Sequence, residues 1–177
     1  AEFVRHGPVR PRRAPEIAAD HVAQPGDVLH RQGSVQAQTG TDDLDVLFRG
    51  FAGIRGLPES AGWTVEVAGS GPAGEQERLQ RLAEEIGISS RVTWHGWVDG
   101  REKEELLGEC GLFALLSHDE NFGLAVAEAM SMGMPVFLSA GVALSEDVRK
   151  AEAGWVVRLS DASWPDTLAE ALGSAGE

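Results

Sequence analysis

Beyond Thr41, short apolar and β-branched runs alternate with stretches whose apolar residues recur at helical spacing, and this alternation constrains the fold more than any other feature. The runs at residues 63–68, 91–94, 112–116, 135–139 and 154–159 read as strands. Thr41 is placed to cap a helix with Asp42 and Asp43 in its first turn and Leu44, Leu47, Phe48 and Phe51 on one face. A second helix starts near Gly74, carries Leu79, Leu82 and Ile86 on one side, and stops at Gly87. Asp99 and Glu102 have capping-box spacing ahead of Leu106 and Leu107. Helices over residues 122–132, after Ser145 and after Trp164 complete the series. Strands that are each followed by a helix rejoin their sheet as parallel neighbours, so the expected fold class is α/β, a parallel sheet with helices on both faces. Ligands of such sheets bind beyond the carboxyl ends of the strands, here the loops at residues 69–73, 95–99, 117–123 and 139–145.

Residues 1–40 differ from the rest: Pro8, Pro11, Pro15 and Pro25 alternate with Arg5, Arg10, Arg12 and Arg13, and periodic apolar residues are scarce. They are expected to form a poorly ordered or atypical leader with one candidate strand at residues 27–30, followed by a single domain over residues 41–177. A formal net charge of -13 would repel a phosphate backbone, which argues against nucleic acid as a partner. No apolar run approaches the ~20 residues that span a bilayer, and no signal-like segment opens the chain, so a cytoplasmic protein without a transmembrane segment is expected. The single cysteine, Cys110, and the scattered His6, His21, His30, His95 and His118 offer no metal-ligand spacing, so no intrinsic metal is expected.

The chemistry concentrates in Ser117-His118-Asp119-Glu120-Asn121-Phe122-Gly123-Leu124, where a strand end runs into a helix whose first N–H groups lack intrahelical partners. Such an end attracts phosphate, and Gly123 lets a diphosphate approach the backbone. Glu128 follows about one and a half turns on, and helical side chains lean toward the N-terminus, so its carboxylate can face the same opening and accept from two neighbouring hydroxyls. Glu120 precedes the helix, where it can accept from the hydroxyls of a second sugar.

Glu120 and Glu128, followed by Ala129-Met130-Ser131-Met132-Gly133-Met134-Pro135-Val136, resemble the E-x7-E motif and following strand of the retaining family-4 (group 1) glycosyltransferases. The resemblance runs from about Gly62 to Val157. It implies the C-terminal, Rossmann-like half of a GT-B fold, a nucleotide-sugar donor linked to UDP or GDP as substrate, no further cofactor, and transfer to a hydroxyl acceptor with retention. By that resemblance Glu128 would hold the ribose, the backbone of Asn121, Phe122, Gly123 and Leu124 the diphosphate, and Glu120, as catalytic residue, the donor sugar. Gly96, Trp97 and Val98 would lie near the base, with Trp97 able to stack on it, and Gly69 and Gly71 would form a close-approach turn near the donor. The methionines at 130, 132 and 134 would be core filler.

Gly69-Ser70-Gly71-Pro72-Ala73-Gly74 also satisfies the G-x-G-x-x-G pattern of dinucleotide-binding proteins. Glu75 and Glu77 in the next helical turn would repel a pyrophosphate, and His95 stands where an acid for the ribose is expected, so the donor-side reading is preferred. Two departures from the family pattern remain. The Arg-x4-Lys-Gly-like stretch that neutralises the diphosphate is incomplete: Arg31 could represent the arginine, but Gln38-Thr39-Gly40 stands where Lys-Gly is expected, and a lost charge-assisted contact would cost ~1.5–3 kcal/mol. The N-terminal acceptor domain is also missing, so the isolated chain is expected to be inactive, the full protein being the enzyme, with room for peripheral membrane association. A non-catalytic nucleotide-sugar-binding or interaction module, and a sugar-nucleotide epimerase, are the alternatives.

Overall fold

The computed structural model describes residues 34–38, 44–120 and 123–175. In chain order the elements are β1 (Ser34–Gln38), α1 (Leu44–Gly53), β2 (Thr64–Ala68), α2 (Glu75–Glu85), β3 (Val92–Gly96), α3 (Gly100–Glu109), β4 (Leu112–Leu115), α4 (Leu124–Ser131), β5 (Val136–Ser139), α5 (Ser145–Ala151), β6 (Gly154–Val157) and α6 (Trp164–Ala175). The strands form one sheet in the order β3-β2-β1-β4-β5-β6, and every neighbouring pair is parallel. Strand order reverses between β1 and β4, and in sheets of this kind the crevice above the carboxyl ends at such a reversal is where ligands bind.

The helices divide between the faces as the side-chain alternation of the strands requires. Leu112, Ala114, Phe137, Trp155 and Val157 point into one core with Leu47, Phe48 and Phe51 of α1, Leu79 and Leu82 of α2, and Leu168 and Leu172 of α6. Phe113, Leu115, Val136 and Leu138 point the other way, onto Leu107 of α3, Val126 and Ala129 of α4 and Val148 of α5. Strands buried on both faces read as continuous apolar runs, which is why β4 and β5 stand out in the sequence. β2 alternates: Val65 and Val67 enter the first core, whereas Glu66 pairs with His95 of β3 on the opposite face, Oε2 to Nε2 at 2.8 Å.

The structure corrects two expectations. The leader assigned to residues 1–40 contains β1, the strand at the centre of the sheet, so the domain begins no later than Ser34. Its sequence, SVQAQ, offers only Val35 and Ala37 as apolar residues, too few to register as an apolar run. The capping box at the start of α3 does not form either: Asp99 makes no side-chain capping bond, and its Oδ2 accepts from the indole N–H of Trp97 at 3.4 Å. The strand expected at residues 27–30, Arg31, and the Thr41 cap with Asp42 and Asp43 lie outside the described residues.

Candidate functional site

The strand β4 delivers Ser117 to Glu120 to the crevice, and the loop after β5 clamps them there. Ser139 Oγ donates to the carbonyl of Ser117 at 2.5 Å and accepts from its N–H at 2.7 Å, with both serines buried. Glu120 bridges Val142 in parallel: its N–H donates to the Gly141 carbonyl and its carbonyl accepts from Ala143, each at 3.0 Å. Gly141 is obligatory by space, because a Cβ there would stand 2.3 Å from the Ser117 oxygen and 2.4 Å from that of His118. Glu120 is thus fixed through its backbone to two strand ends.

Gly123 starts α4 in the left-handed conformation, φ 62°, and its carbonyl accepts the first helical bonds from Val126 and Ala127. A side chain there would also press on Val126 and Val142 at 3.3 Å. The Glu120 carboxylate already leans over this helix start, Oε1 accepting from the Gly123 N–H at 3.4 Å. An anionic oxygen therefore sits where unpaired helical N–H groups attract one. Leu124, first in the helix, is 62% exposed toward solvent. Glu128, one turn on, forms an ion pair with Lys103 of α3.

At the β3 end, Gly96 accepts from the Gly69 N–H at 2.6 Å, which joins the two glycine loops. Trp97 is 69% exposed, so a flat apolar face stands open just beyond β3, and Val98 is half-buried. The G-x-G-x-x-G stretch carries a carboxylate beside its glycines: Glu75 lies against Gly71, with Cγ 3.4 Å from the position of a Gly71 Cβ. Hydrogen bonds from the Arg78 guanidinium hold the Glu75 carboxyl below the ordinary glutamate range, so it keeps its negative charge. His95 is engaged by Glu66 on the sheet face.

A cleft of about 270 Å³ opens above β4, β5 and β6, lined by Ser117, His118, Ser139, Gly141, Arg158 and Ser160, among others. Arg158 is a residue that sequence reasoning missed, since reading residues 154–159 as one strand hid it; the strand stops at Val157 and Arg158 begins the loop. Among the described residues no group of three or more His, Cys, Asp or Glu side chains converges to hold a metal ion, and no helix is long and apolar enough to cross a membrane.

Residues 32–175 match the family model described as glycosyl transferases group 1. The chain belongs to this glycosyltransferase family. Among curated relatives, the D-inositol 3-phosphate glycosyltransferase of Mycolicibacterium smegmatis is 35% identical over 136 residues, 72% of this chain and 29% of that protein. The protein of the same name from Stackebrandtia nassauensis is 34% identical over 130 residues, again 29% of its length. This chain therefore spans under a third of these glycosyltransferases. Among solved structures, the C-terminal domain of a group 1 glycosyl transferase (LpcC) from Francisella tularensis superposes with a TM-score of 0.66 at 18% identity, covering 86% of this chain and 89% of that one. The lipopolysaccharide glycosyltransferase WaaG superposes at 0.65 over 82% of this chain and 38% of its own. The group 1 glycosyltransferase domain here is thus an α/β half of the GT-B fold, and its family uses nucleotide-sugar donors.

Within this glycosyltransferase domain the structure brings Glu120, Gly123, Leu124 and Glu128 together around one helix start. It brings Gly69, Gly71, Gly96, Trp97 and Val98 together at the ends of β2 and β3. Arg31, Asn121 and Phe122 lie outside the described residues.

Proposed function

We propose that this domain holds the nucleotide-sugar donor of a retaining glycosyltransferase, and that the full protein, with an N-terminal acceptor domain, transfers the sugar to a hydroxyl acceptor. The observation that carries the reading is the left-handed Gly123 at the start of α4, at the strand-order reversal, flanked by Glu120 and Glu128. A UDP- or GDP-linked sugar meets that arrangement at three points. The diphosphate takes the free N–H groups at the helix start, where the macrodipole favours negative charge. The ribose hydroxyls donate to Glu128. Glu120 turns from the Gly123 N–H to the donor sugar, so the incoming diphosphate takes the place of an internal anion.

Trp97 supplies a stacking surface for the base, while the turn at Gly69 and Gly71 faces the uncharged side of the donor, since Glu75 beside it repels the diphosphate. The names of the D-inositol 3-phosphate glycosyltransferases support a phosphorylated polyol as acceptor. Such chemistry needs the donor and acceptor shielded from water, which a second domain closing over this face would provide. A cytoplasmic setting, with peripheral association at a membrane, is compatible with this reading.

Titration of the folded chain with UDP, GDP and their sugar conjugates tests the assignment. Binding is expected, and Glu128→Ala is expected to weaken it about tenfold or more, the cost of losing hydrogen bonds to a charged group. Indifference of the wild-type chain to every nucleotide would remove the donor site. A non-catalytic nucleotide-sugar-binding role is the second reading, favoured by Gln38-Thr39-Gly40 in place of a lysine and glycine. Transfer of a radiolabelled sugar by the full-length protein would exclude it.

A further inference from the structure

The ion pair between Lys103 and Glu128 differs in kind from three other pairs that involve helix residues of this domain. Arg78–Glu75, Arg101–Glu105 and Arg149–Glu146 each join residues three or four apart on one helix. Lys103 and Glu128 stand 25 residues apart and join α3 to α4. Both are partly exposed, 30% and 40%, and pairs so wetted add little stability. The chain carries only one other lysine, Lys150 of α5.

We infer that Lys103 is a positioning residue for recognition of the donor ribose, and that it brings a positive charge to the Glu128 side of the donor site. The inference rests on the reading of Glu128 as the ribose carboxylate. A glutamate side chain samples several rotamers, and a free Glu128 at a half-exposed position would have to be ordered when the sugar binds. Lys103 does that ordering in advance. An ionised carboxylate has about four acceptor sites and the ammonium uses one, which leaves enough for both the 2′- and 3′-hydroxyls. The ammonium also offsets the repulsion between Glu128 and a doubly charged diphosphate, the task that Gln38-Thr39-Gly40 cannot perform.

Affinity for UDP or GDP, whichever binds the 177-residue chain, is compared with affinity for its 2′-deoxy form by calorimetry, in the wild type and in Lys103→Met, Lys103→Arg and Glu128→Gln. Thermal unfolding of each variant establishes that it is folded. The wild type is expected to prefer the ribonucleotide about tenfold. Glu128→Gln should abolish most of that preference, Lys103→Met should reduce it at least about threefold, and Lys103→Arg, which keeps the positive charge, should restore it. A purely structural ion pair would leave the ratio unchanged. Full preference in Lys103→Met beside lost preference in Glu128→Gln overturns the role of Lys103 and leaves the ribose assignment standing. Full preference in Glu128→Gln overturns the ribose assignment itself, and absence of nucleotide binding by the wild type overturns both.

Discussion

Replacing Gly141 with alanine is expected to destabilise the domain by about 2–6 kcal/mol and to remove nucleotide binding with it. The new methyl carbon would stand 2.3 Å from the Ser117 oxygen, and both neighbours are backbone atoms that cannot swing aside. Overpacking of this kind costs about 1–3 kcal/mol where side chains can adjust. Here relief requires the β5 loop to retreat, which breaks the bonds from Glu120 to Gly141 and from Ala143 to Glu120, at about 0.5–1.5 kcal/mol each. Against a typical total of about 5–15 kcal/mol, that is a large fraction. Denaturant unfolding gives the stability, and nucleotide titration of the remaining folded protein gives the site. A variant with wild-type stability and affinity would mean that Glu120 is not held by this clamp.

Phe137→Ala is expected to cost about 3–5 kcal/mol, the usual range for deleting a buried phenyl ring, and to lower the melting temperature by roughly 10 °C. Phe137 is fully buried on β5, between Ala114 of β4 and Trp155 of β6, with its ring centroid 6.4 Å from that of Trp164 in α6. The loss should spare nucleotide affinity per folded molecule, because Phe137 belongs to the core on the opposite face from α4. The two variants therefore separate the scaffold from the site. Phe137→Ala lowers stability alone; Gly141→Ala lowers both.

Most of this fold was legible in the sequence because its strands from β4 onward are covered on both faces and read as unbroken apolar runs. The helices were legible where an apolar face meets a core, as Leu44, Leu47, Phe48 and Phe51 do. The central strand was not. β1 lies between β2 and β4 with the sequence SVQAQ, and its place in the sheet follows from pairing with partners 30 or more residues away, which no local pattern reports. The capping-box spacing at Asp99 and Glu102 misled because Gly100 takes a left-handed φ of 49° and the Asp99 carboxylate turns to Trp97.

The candidate site divides in the same way. Glu120, Gly123 and Glu128 were found because a helix start leaves N–H groups exposed at fixed spacing, a local property. The Lys103 contact with Glu128 and the opening of Arg158 into the cleft depend on where α3 and the loop after β6 come to rest. Spacing along the chain contains neither. The glycine-rich stretch shows the converse: its pattern was visible, but Glu75, folded against Gly71 and kept charged by Arg78, leaves the negative end of a ligand unwelcome there.

The most direct test of the central claim is a crystal structure of the chain with bound UDP or GDP. The diphosphate is expected on the backbone N–H groups at Gly123 and Leu124, the ribose hydroxyls on the Glu128 carboxylate, and the base beside Trp97, with the Glu120 carboxylate released from the Gly123 N–H. A diphosphate seated instead on the turn from Gly69 to Gly74, with Glu128 free of the ribose, would contradict the account.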